Sequence, residues 1–257
     1  MTDLVDAERN VPVDIRVGPG HAALAGRTGR GVVVAVIDSG VHADHPHVGG
    51  VAGGVAFEQD GEAHQDYTDR MGHGTAVTAA IREKAPDAEI YAVKVFGRKL
   101  STSTGVLVRA IDWATGKGAR LINLSLGTPN AEHELTLWAC VQRATDRGAV
   151  IVSPREYDER SWLPGKIEGV AGTILDWTCE REEIRMSRRS GGSIVMFASG
   201  YPRPIPGSSP ARNLKGVSFS AANVTGILAG VMQDRPQLRS PTDVWKFASI
   251  HQPLDQP

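Results

Sequence analysis

An α/β fold is predicted for this chain of 257 residues, with a mostly parallel central sheet that carries helices on both faces. Two observations support this prediction. Segments with the pattern of buried strands alternate along the chain with segments of helical periodicity, which is the order that a parallel sheet requires. The first such strand, residues 32–37, is apolar at every position, as expected for a strand covered on both faces.

The remaining elements follow in chain order. Residues 11–17 alternate in polarity but contain Pro12, so they are predicted to form an edge strand or an extended arm. Ser240 before Pro241 predicts the start of the last helix. Further strands are predicted at residues 90–96, 121–127, 149–152, 170–175 and 194–198. Other helices are predicted after His73, around residues 106–114, around residues 135–141, and from Ser218 to about Met232.

Domain organisation is predicted to be simple. No internal repeat, low-complexity stretch or linker interrupts the alternation of strands and helices. Residues 1–10 are polar and are expected to form a flexible N-terminal arm, and residues 11–257 a single domain.

Composition argues against several classes of protein. A formal net charge of −1 gives no electrostatic footprint for nucleic acid or for an anionic membrane. No apolar run approaches the ~20 residues that a membrane span needs. The two cysteines, Cys140 and Cys179, are expected to be buried thiols rather than a disulfide. Because the first residues lack a cationic start and an apolar run, no secretory leader is predicted and a cytoplasmic location is expected.

Three polar residues, Asp38, His73 and Ser218, stand where a predicted strand ends or a predicted helix begins, each with glycine nearby. Each alone has an ordinary structural interpretation: an Asx turn, a structural histidine and a helix N-cap. In a parallel sheet such positions gather along one edge. A serine nucleophile needs a histidine base, and that imidazole needs a carboxylate to orient it, so the three together favour acyl-transfer chemistry.

Four stretches carry a resemblance to the subtilisin-like serine peptidases. They are the Val-Ala-Val-Ile-Asp-Ser-Gly sequence at residues 34–40, Gly-His-Gly-Thr at 72–75, Ile-Asn-Leu-Ser-Leu-Gly at 122–127 and Gly-Val-Ser-Phe-Ser-Ala at 216–221. The chain order Asp, His, Ser is also that of subtilisin. The resemblance extends from about residue 11 to the final helix, and it implies the three-layer subtilisin-like fold.

The resemblance also implies roles for individual residues. Asp38 would orient the imidazole, His73 would act as general base and then as general acid, and Ser218 would be the nucleophile. The family's substrate-binding strand would correspond to Ser125, Leu126 and Gly127, whose backbone would pair with an extended peptide or protein substrate.

The chain departs from the family pattern at the oxyanion hole. The family usually has an asparagine after the strand at residues 150–152, whereas this chain has none there. Counting without gaps places Tyr157 at the equivalent position, and a small gap would place Arg155 there. The Ser218 backbone N–H is the other expected donor. Loss of the side-chain donor costs about 10²–10³ in kcat, a magnitude that comes from subtilisin itself. Around the serine, Val217, Ala222 and Asn223 also differ from the family's residues.

Cofactors and partners are weakly indicated. No cofactor or metal is expected. Calcium binding is an alternative, but the favoured interpretation is that the acidic residues are carboxylates scattered over the surface. The candidate ligands would be Asp44, Asp60, Asp66 and Asp69. Because no prodomain-sized segment precedes Asp38, the chain resembles the intracellular type or depends on a partner protein for folding or activity. The arginine-rich residues 185–189 are predicted to form a solvated loop. The alternative is that this loop contacts an acidic peptide.

Three functions remain open at this point. The first is a serine endopeptidase of narrow specificity that processes a precursor peptide or protein. The second is a catalytically impaired member of the same fold that binds a peptide or a partner. The third, weaker, is an esterase or acyltransferase with the same triad.

Overall fold

The computed structural model describes residues 14–97, 101–189, 191–207, 209 and 212–251. The predicted N-terminal arm, residues 1–10, therefore lies outside the described residues. The strands are β1 Asp14–Val17, β2 Val33–Asp38, β3 Gly53–Phe57, β4 Ala63–His64, β5 Glu89–Lys94, β6 Leu121–Leu124, β7 Val150–Pro154, β8 Glu156–Tyr157, β9 Arg160–Ser161, β10 Ala171–Leu175, β11 Ile184–Arg188 and β12 Ile194–Ala198. The helices are α1 His73–Lys84, α2 Thr104–Gly116, α3 Glu134–Asp146, α4 Val217–Met232 and α5 Pro241–Ile250.

Ten of these strands form one sheet in the order β1-β11-β12-β10-β7-β6-β2-β5-β3-β4. From β12 across to β3 every neighbouring pair is parallel, and antiparallel pairs occur only toward the two edges of this sheet, within the described residues. Strand β2 pairs with β5 on one side and β6 on the other, so its C-terminal residue, Asp38, lies at the middle of the sheet's carboxyl edge.

Helices cover both faces of this sheet, which confirms the predicted three-layer α/β architecture. Along β2, Val34 and Val36 belong to the core beneath α1, α4 and α5, whereas Ala35 and Ile37 belong to the core beneath α2 and α3. This alternation explains why the strand is apolar at every position. Among the described helices none combines the length and apolarity needed to cross a membrane.

Helix α4 lies at the centre of its layer. Its residues from Phe219 to Met232 are all buried, as expected for a helix that is apolar on every side. The start near Ser218 and the end at Met232 confirm the sequence prediction. Likewise Ser240 caps α5 by accepting a hydrogen bond from the backbone N–H of Asp243.

The prediction of a basic loop at residues 185–189 is wrong. Most of this segment belongs to β11, which pairs antiparallel with both β1 and β12. Ile184 and Met186 are buried, while Arg185 lies on the other side, bonds Asp14 and Asp176, and stacks on the ring of Phe197. The alternation of apolar and arginine residues is a strand signal that the charge count obscured.

Strand β1 confirms the predicted edge strand for its residues 14–17, whereas residues 11–13 are outside the described part of the chain. Strand β4 was not predicted, and neither were β3 and the β8–β9 hairpin. Strand β3 begins with Gly53 and Gly54, which weaken its strand pattern. The short β8–β9 hairpin is polar and exposed, so no periodicity marks it.

We expect Arg120→Met to lower the free energy of unfolding by about 2 kcal/mol, because three buried or half-buried acceptors would lose a charged donor. The Arg120 guanidinium donates to the backbone oxygens of Met232, Arg235 and Leu238, which follow or end α4. Urea denaturation measures the change.

The matched control is Arg143→Met. Arg143 pairs with Asp112 on the surface, where half of each side chain is exposed, and its loss should cost under about 1 kcal/mol. Equal effects of the two substitutions would contradict the structural role assigned to Arg120.

Candidate active site

Asp38 is the last residue of β2 and is completely buried, at 0% exposure. Its Oδ1 accepts hydrogen bonds from the backbone N–H of Ser39 and from Nδ1 of His73, both at 2.7 Å. Because a carboxylate can only accept, His73 carries its proton on Nδ1 and leaves Nε2 as the basic nitrogen. The Asp38 Oδ2 atom is buried without a hydrogen-bond partner among the described residues.

His73 is the first residue of α1 and lies between two glycines, each of which meets a different structural requirement. Gly72 is the N-cap residue and has φ of 82°, in the left-handed region that glycine favours. Gly74 lies directly against the turn after β2, where an added Cβ would collide with the carbonyl oxygen of Gly40. Close approach of α1 to β2 therefore requires glycine, and it brings His73 within reach of Asp38.

A second carboxylate, Asp69, organises the segment before His73. Its Oδ1 accepts from the Ser39 hydroxyl and from the backbone N–H groups of Met71 and Gly72. Its Oδ2 accepts from the backbone N–H and the hydroxyl of Thr75. Burial raises the pKa of Asp69, but these hydrogen bonds outweigh burial and leave the pKa below its ordinary value.

This role of Asp69 was missed in the sequence, where it was grouped with exposed carboxylates. In the structure it is buried. The available signal was its position four residues before His73, at the start of a helix, where a carboxylate can accept from unpaired backbone N–H groups.

The pKa of His73 is raised above its ordinary value of 6.5. Burial lowers the pKa, but the hydrogen bond that His73 donates to Asp38, the negative charge of Asp38 and the charge of Asp69 raise it by more. The imidazolium form of His73 is therefore stabilised, which is what a group that accepts and then returns a proton needs.

Ser218 lies one residue into α4 and shares a groove with His73. Its neighbour Phe219 packs its ring against the imidazole, with centroids 5.8 Å apart. The Ser218 hydroxyl donates to the carbonyl oxygen of Ser125 at 3.2 Å, and none of the hydrogen bonds between described residues joins it to His73. The three predicted residues thus come together: Asp38 and His73 are hydrogen-bonded to each other, and the Ser218 hydroxyl is bonded to the segment after β6.

A buried polar network supports the segment after β6 that Ser218 contacts; the predicted strand at residues 121–127 ends at Leu124 in the structure. The Asn123 side chain donates to the Ser125 hydroxyl and accepts from the hydroxyl of Thr225 on α4. The Ser153 hydroxyl donates to the carbonyl oxygen of Leu126. These bonds tie the segment of Ser125, Leu126 and Gly127 to both α4 and β7, so the wall of the groove is fixed relative to Ser218.

The groove has a volume of about 340 Å³ and includes several residues that the sequence did not indicate. Predicted members are His73, Ser218, Tyr157 and the segment Ser125, Leu126 and Gly127; members not predicted include Phe96, Trp162 and Lys215. Trp162 follows β9, packs edge-to-face on Tyr157 with centroids 5.7 Å apart, and lies against Gly127. Together the two rings form an aromatic wall.

The two predicted oxyanion donors occupy different places. Tyr157 lies in β8 and lines the groove, with 49% of its surface exposed. Arg155 is not among the described residues that line it; its side chain packs against Gly172 and approaches Glu156, with Nε 3.9 Å from Oε1. Of the two, only Tyr157 lines the groove that Ser218 also lines.

The four aspartates proposed for calcium do not fit a common site. Asp69 has both oxygens occupied by the donors described above. Asp66 pairs with Arg70 at 2.7 Å, and Asp60 accepts from the backbone N–H of Glu62. No group of three or more His, Cys, Asp or Glu side chains among the described residues is arranged to hold a metal ion.

Comparison with known proteins identifies the class. The family model described as the subtilase family matches residues 29–202. M-protease of Shouchella clausii (strain KSM-K16) is 31% identical over 240 residues, which cover 89% of this chain and 61% of M-protease. Subtilisin Savinase of Lederbergia lenta is also 31% identical over 240 residues, covering 89% of this chain and 86% of Savinase. The crystal structure of a cold adapted subtilisin-like serine proteinase superposes with a TM-score of 0.67 at 23% identity, covering 87% and 83% of the two chains.

The chain therefore belongs to the subtilase family. It spans about 61% of the length of M-protease and of the Alkaline protease of Alkalihalobacillus alcalophilus, at 31% identity to each. The likeness to the solved structure independently supports the subtilisin-like fold.

We expect an NMR titration of the His73 imidazole to give a pKa above 6.5 and the Asp38→Asn substitution to lower it, because the substitution removes the neighbouring charge. By linkage, the stabilising contribution of the His73–Asp38 pair should be complete below pH 6.5 and be lost as the pH rises through the folded-state pKa.

The control for this titration is Asp112→Asn, which removes a carboxylate that pairs with Arg143 instead. A His73 pKa that did not move in Asp38→Asn, or moved equally in both variants, would contradict the pairing.

Proposed function

We propose that this protein is a serine endopeptidase in which Asp38, His73 and Ser218 are the catalytic residues. The observation that carries the proposal is the buried Asp38–His73 hydrogen bond, which leaves Nε2 of His73 basic in the same groove as Ser218. Membership of the subtilase family and the printed names of the protease relatives support the same chemistry.

The mechanism follows from this geometry. Nε2 of His73 takes the proton of the Ser218 hydroxyl as Oγ attacks the scissile carbonyl carbon, and Asp38 stabilises the imidazolium. His73 then gives the proton to the leaving amine, the C–N bond breaks, and an acyl ester remains on Ser218. Water attacks the ester by the same route in reverse, releasing the acid and the free serine. The serine must first exchange its hydrogen bond with Ser125 for one with His73.

The oxyanion that forms during attack needs hydrogen-bond donors. The backbone N–H of Ser218 lies at the start of α4, where backbone N–H groups are unpaired and the helix dipole favours negative charge. We propose the Tyr157 hydroxyl as the second donor because Tyr157 lines the groove. Arg155 is the weaker candidate because it packs against Gly172 instead.

The acyl part of the substrate is proposed to lie along Ser125, Leu126 and Gly127 as an added extended strand. The buried network beneath these residues holds their backbone in place. The aromatic wall of Tyr157 and Trp162 lines the groove beside them. A hydrogen-bonded backbone on one side and an aromatic wall on the other support a role in processing particular precursor peptides or proteins rather than general digestion.

Two observations favour a second candidate function, a peptide-binding protein with little hydrolysis. The Ser218 hydroxyl points to the Ser125 carbonyl, and no asparagine follows β7. We place this second because a protein that only bound peptides would not need the buried Asp38–His73 pair. The expected cytoplasmic location, the dependence on a partner protein and the absence of a cofactor remain predictions.

We expect a fluorophosphonate probe to label the protein at Ser218, and His73→Ala and Ser218→Ala to abolish labelling. In subtilisin itself, loss of the serine or of the histidine lowers kcat by about 10⁶-fold. Labelling should become faster as the pH rises through the pKa of His73, above 6.5, because only the neutral imidazole accepts the proton.

The controls for labelling are Ser249→Ala on α5 and His64→Ala in β4, which exchange the same residue types away from the groove. Labelling that persisted in Ser218→Ala would exclude Ser218 as the nucleophile. A protein that bound peptides but resisted the probe would establish the second candidate function.

We also expect Tyr157→Phe to lower kcat by about 10–100-fold with little change in KM, because only a transition-state hydrogen bond is removed. Arg155→Ala should change kcat by less than about 3-fold, since its side chain lies away from the groove. If turnover were unchanged in Tyr157→Phe, the phenol would not be the oxyanion donor.

A further inference from the structure

A second and larger cavity, of about 670 Å³, borders the segment that carries His73. Its walls are the turn after β2, the first turns of α1, and the segments around residues 202–206 and 212–214. We call it the histidine–arginine pocket because His42, His45, His47, Arg203 and Arg212 line it.

The pocket is continuous with the two segments that carry the catalytic residues. On α1 it contacts Gly72 and Thr75, which flank His73 in sequence, whereas the groove contacts His73 itself. Before α4 it contacts Asn213 and Leu214, whereas the groove contacts the residues from Lys215 to Ser218. A chain leaving the groove past His73 would therefore reach the pocket within a few residues.

The lining combines apolar surface with positive charge. Pro46, Ile205 and Leu214 supply apolar surface, and about half of the Ile205 and Leu214 side chains is exposed. Neither Arg203 nor Arg212 has an ion-pair partner among the described residues. The Arg203 guanidinium donates to the backbone oxygen of His47 at 3.2 Å, which holds it at the rim.

Asp69 is the one acidic residue among the described lining residues, and both of its oxygens accept hydrogen bonds from Ser39, Thr75 and backbone N–H groups. With two arginines and one aspartate the pocket carries an excess of one positive charge even when its histidines are neutral. Burial, Arg203 and His45 lower the pKa of His47, so this histidine is neutral at pH 7.

The three histidines do not form a metal site. The backbone N–H of His47 donates to Nδ1 of His45 at 3.2 Å, and their rings meet edge-to-face. Among the described residues no set of three potential ligands converges, these histidines included. The pocket is therefore suited to an organic anion with apolar surface.

We propose that the histidine–arginine pocket binds the part of a peptide substrate that lies C-terminal to the cleaved bond, and that it selects an apolar residue next to a carboxylate. His73 gives its proton to the leaving amine, so the leaving segment must pass His73, and the pocket begins there. The carboxylate is either an acidic side chain or the C-terminus of a short leaving segment, and both would meet Arg203 and Arg212.

This inference rests on the proposed function, which supplies the class of substrate, but binding measurements alone test it. The protein is the full chain with Ser218→Ala, which cannot cleave. The probes are three peptides that share the sequence Ala-Leu-X-Leu: one with X as Glu and a C-terminal amide, one with Gln and an amide, and one with Gln and a free C-terminus. NMR titration of the histidine side-chain signals reports affinity and location together.

We expect the signals of His42, His45 and His47 to shift while those of His64 and His133 stay fixed. A peptide with a carboxylate should bind about 10-fold more tightly than the neutral peptide, because a hydrogen bond to a charged group typically contributes that much to affinity. If the glutamate peptide binds most tightly, the pocket recognises an acidic side chain. If the peptide with the free C-terminus binds most tightly, the pocket recognises a terminal carboxylate.

Arg212→Gln and Arg203→Gln should each reduce the 10-fold discrimination without weakening the neutral peptide. The control is Arg30→Gln, an equal change of charge at a residue that is 78% exposed and pairs with Asp87 elsewhere on the surface. Because the readout is a ratio between peptides, a variant that merely loosened the pocket would weaken all three peptides alike.

Equal binding of the three peptides, discrimination that survives in both arginine variants, or unshifted pocket histidines would overturn the proposal. If wild-type protein is labelled at Ser218 while the peptides are not discriminated, this inference fails and the proposed function stands. If the peptides are discriminated but no label reaches Ser218, the proposed function fails and the pocket stands as an anion-binding site.

Discussion

The hydrogen bond between Asp38 and His73 joins the end of the central strand to the start of the first long helix, and the residues around both ends are arranged to maintain it. A carboxylate at 0% exposure is costly unless donors surround it. The donors here come from the turn that follows β2 and from an imidazole on another element. Holding α1 that close demands glycine at position 74, because any side chain would strike the Gly40 carbonyl.

Asp69 helps to hold the start of α1 against the end of β2. One buried carboxylate bonds the turn after β2 through Ser39 and the start of α1 through Thr75. The Ser39 hydroxyl in turn accepts from the backbone N–H of Gly74. These charged hydrogen bonds reinforce one another in a medium of low polarity, and they hold the end of β2 and the start of α1 together.

The parts of the chain that depart from the family pattern lie around this unit rather than within it. The segment after β7 lacks asparagine and instead forms the β8–β9 hairpin, whose Tyr157 faces the groove. The histidine–arginine pocket adjoins this unit, with walls from the loops after β2 and before α4. Loops can change without disturbing a buried sheet, and so they are where specificity varies on a shared scaffold.

Local signals in the chain were enough to predict the apolar β2, the apolar α4, the capped α5 and the positions of the three polar residues at strand and helix ends. The prediction mistook β11 for a loop because the count of arginines obscured the alternation of its residues, and it missed β3 because Gly53 and Gly54 weaken the strand pattern there. Only the tertiary structure decided that Asp69 is a buried anchor, that Tyr157 rather than Arg155 faces the groove, and that a cationic pocket adjoins His73. Each of these depends on contacts between residues far apart in the chain, and periodicity and spacing record only the contacts that a residue makes with its own element.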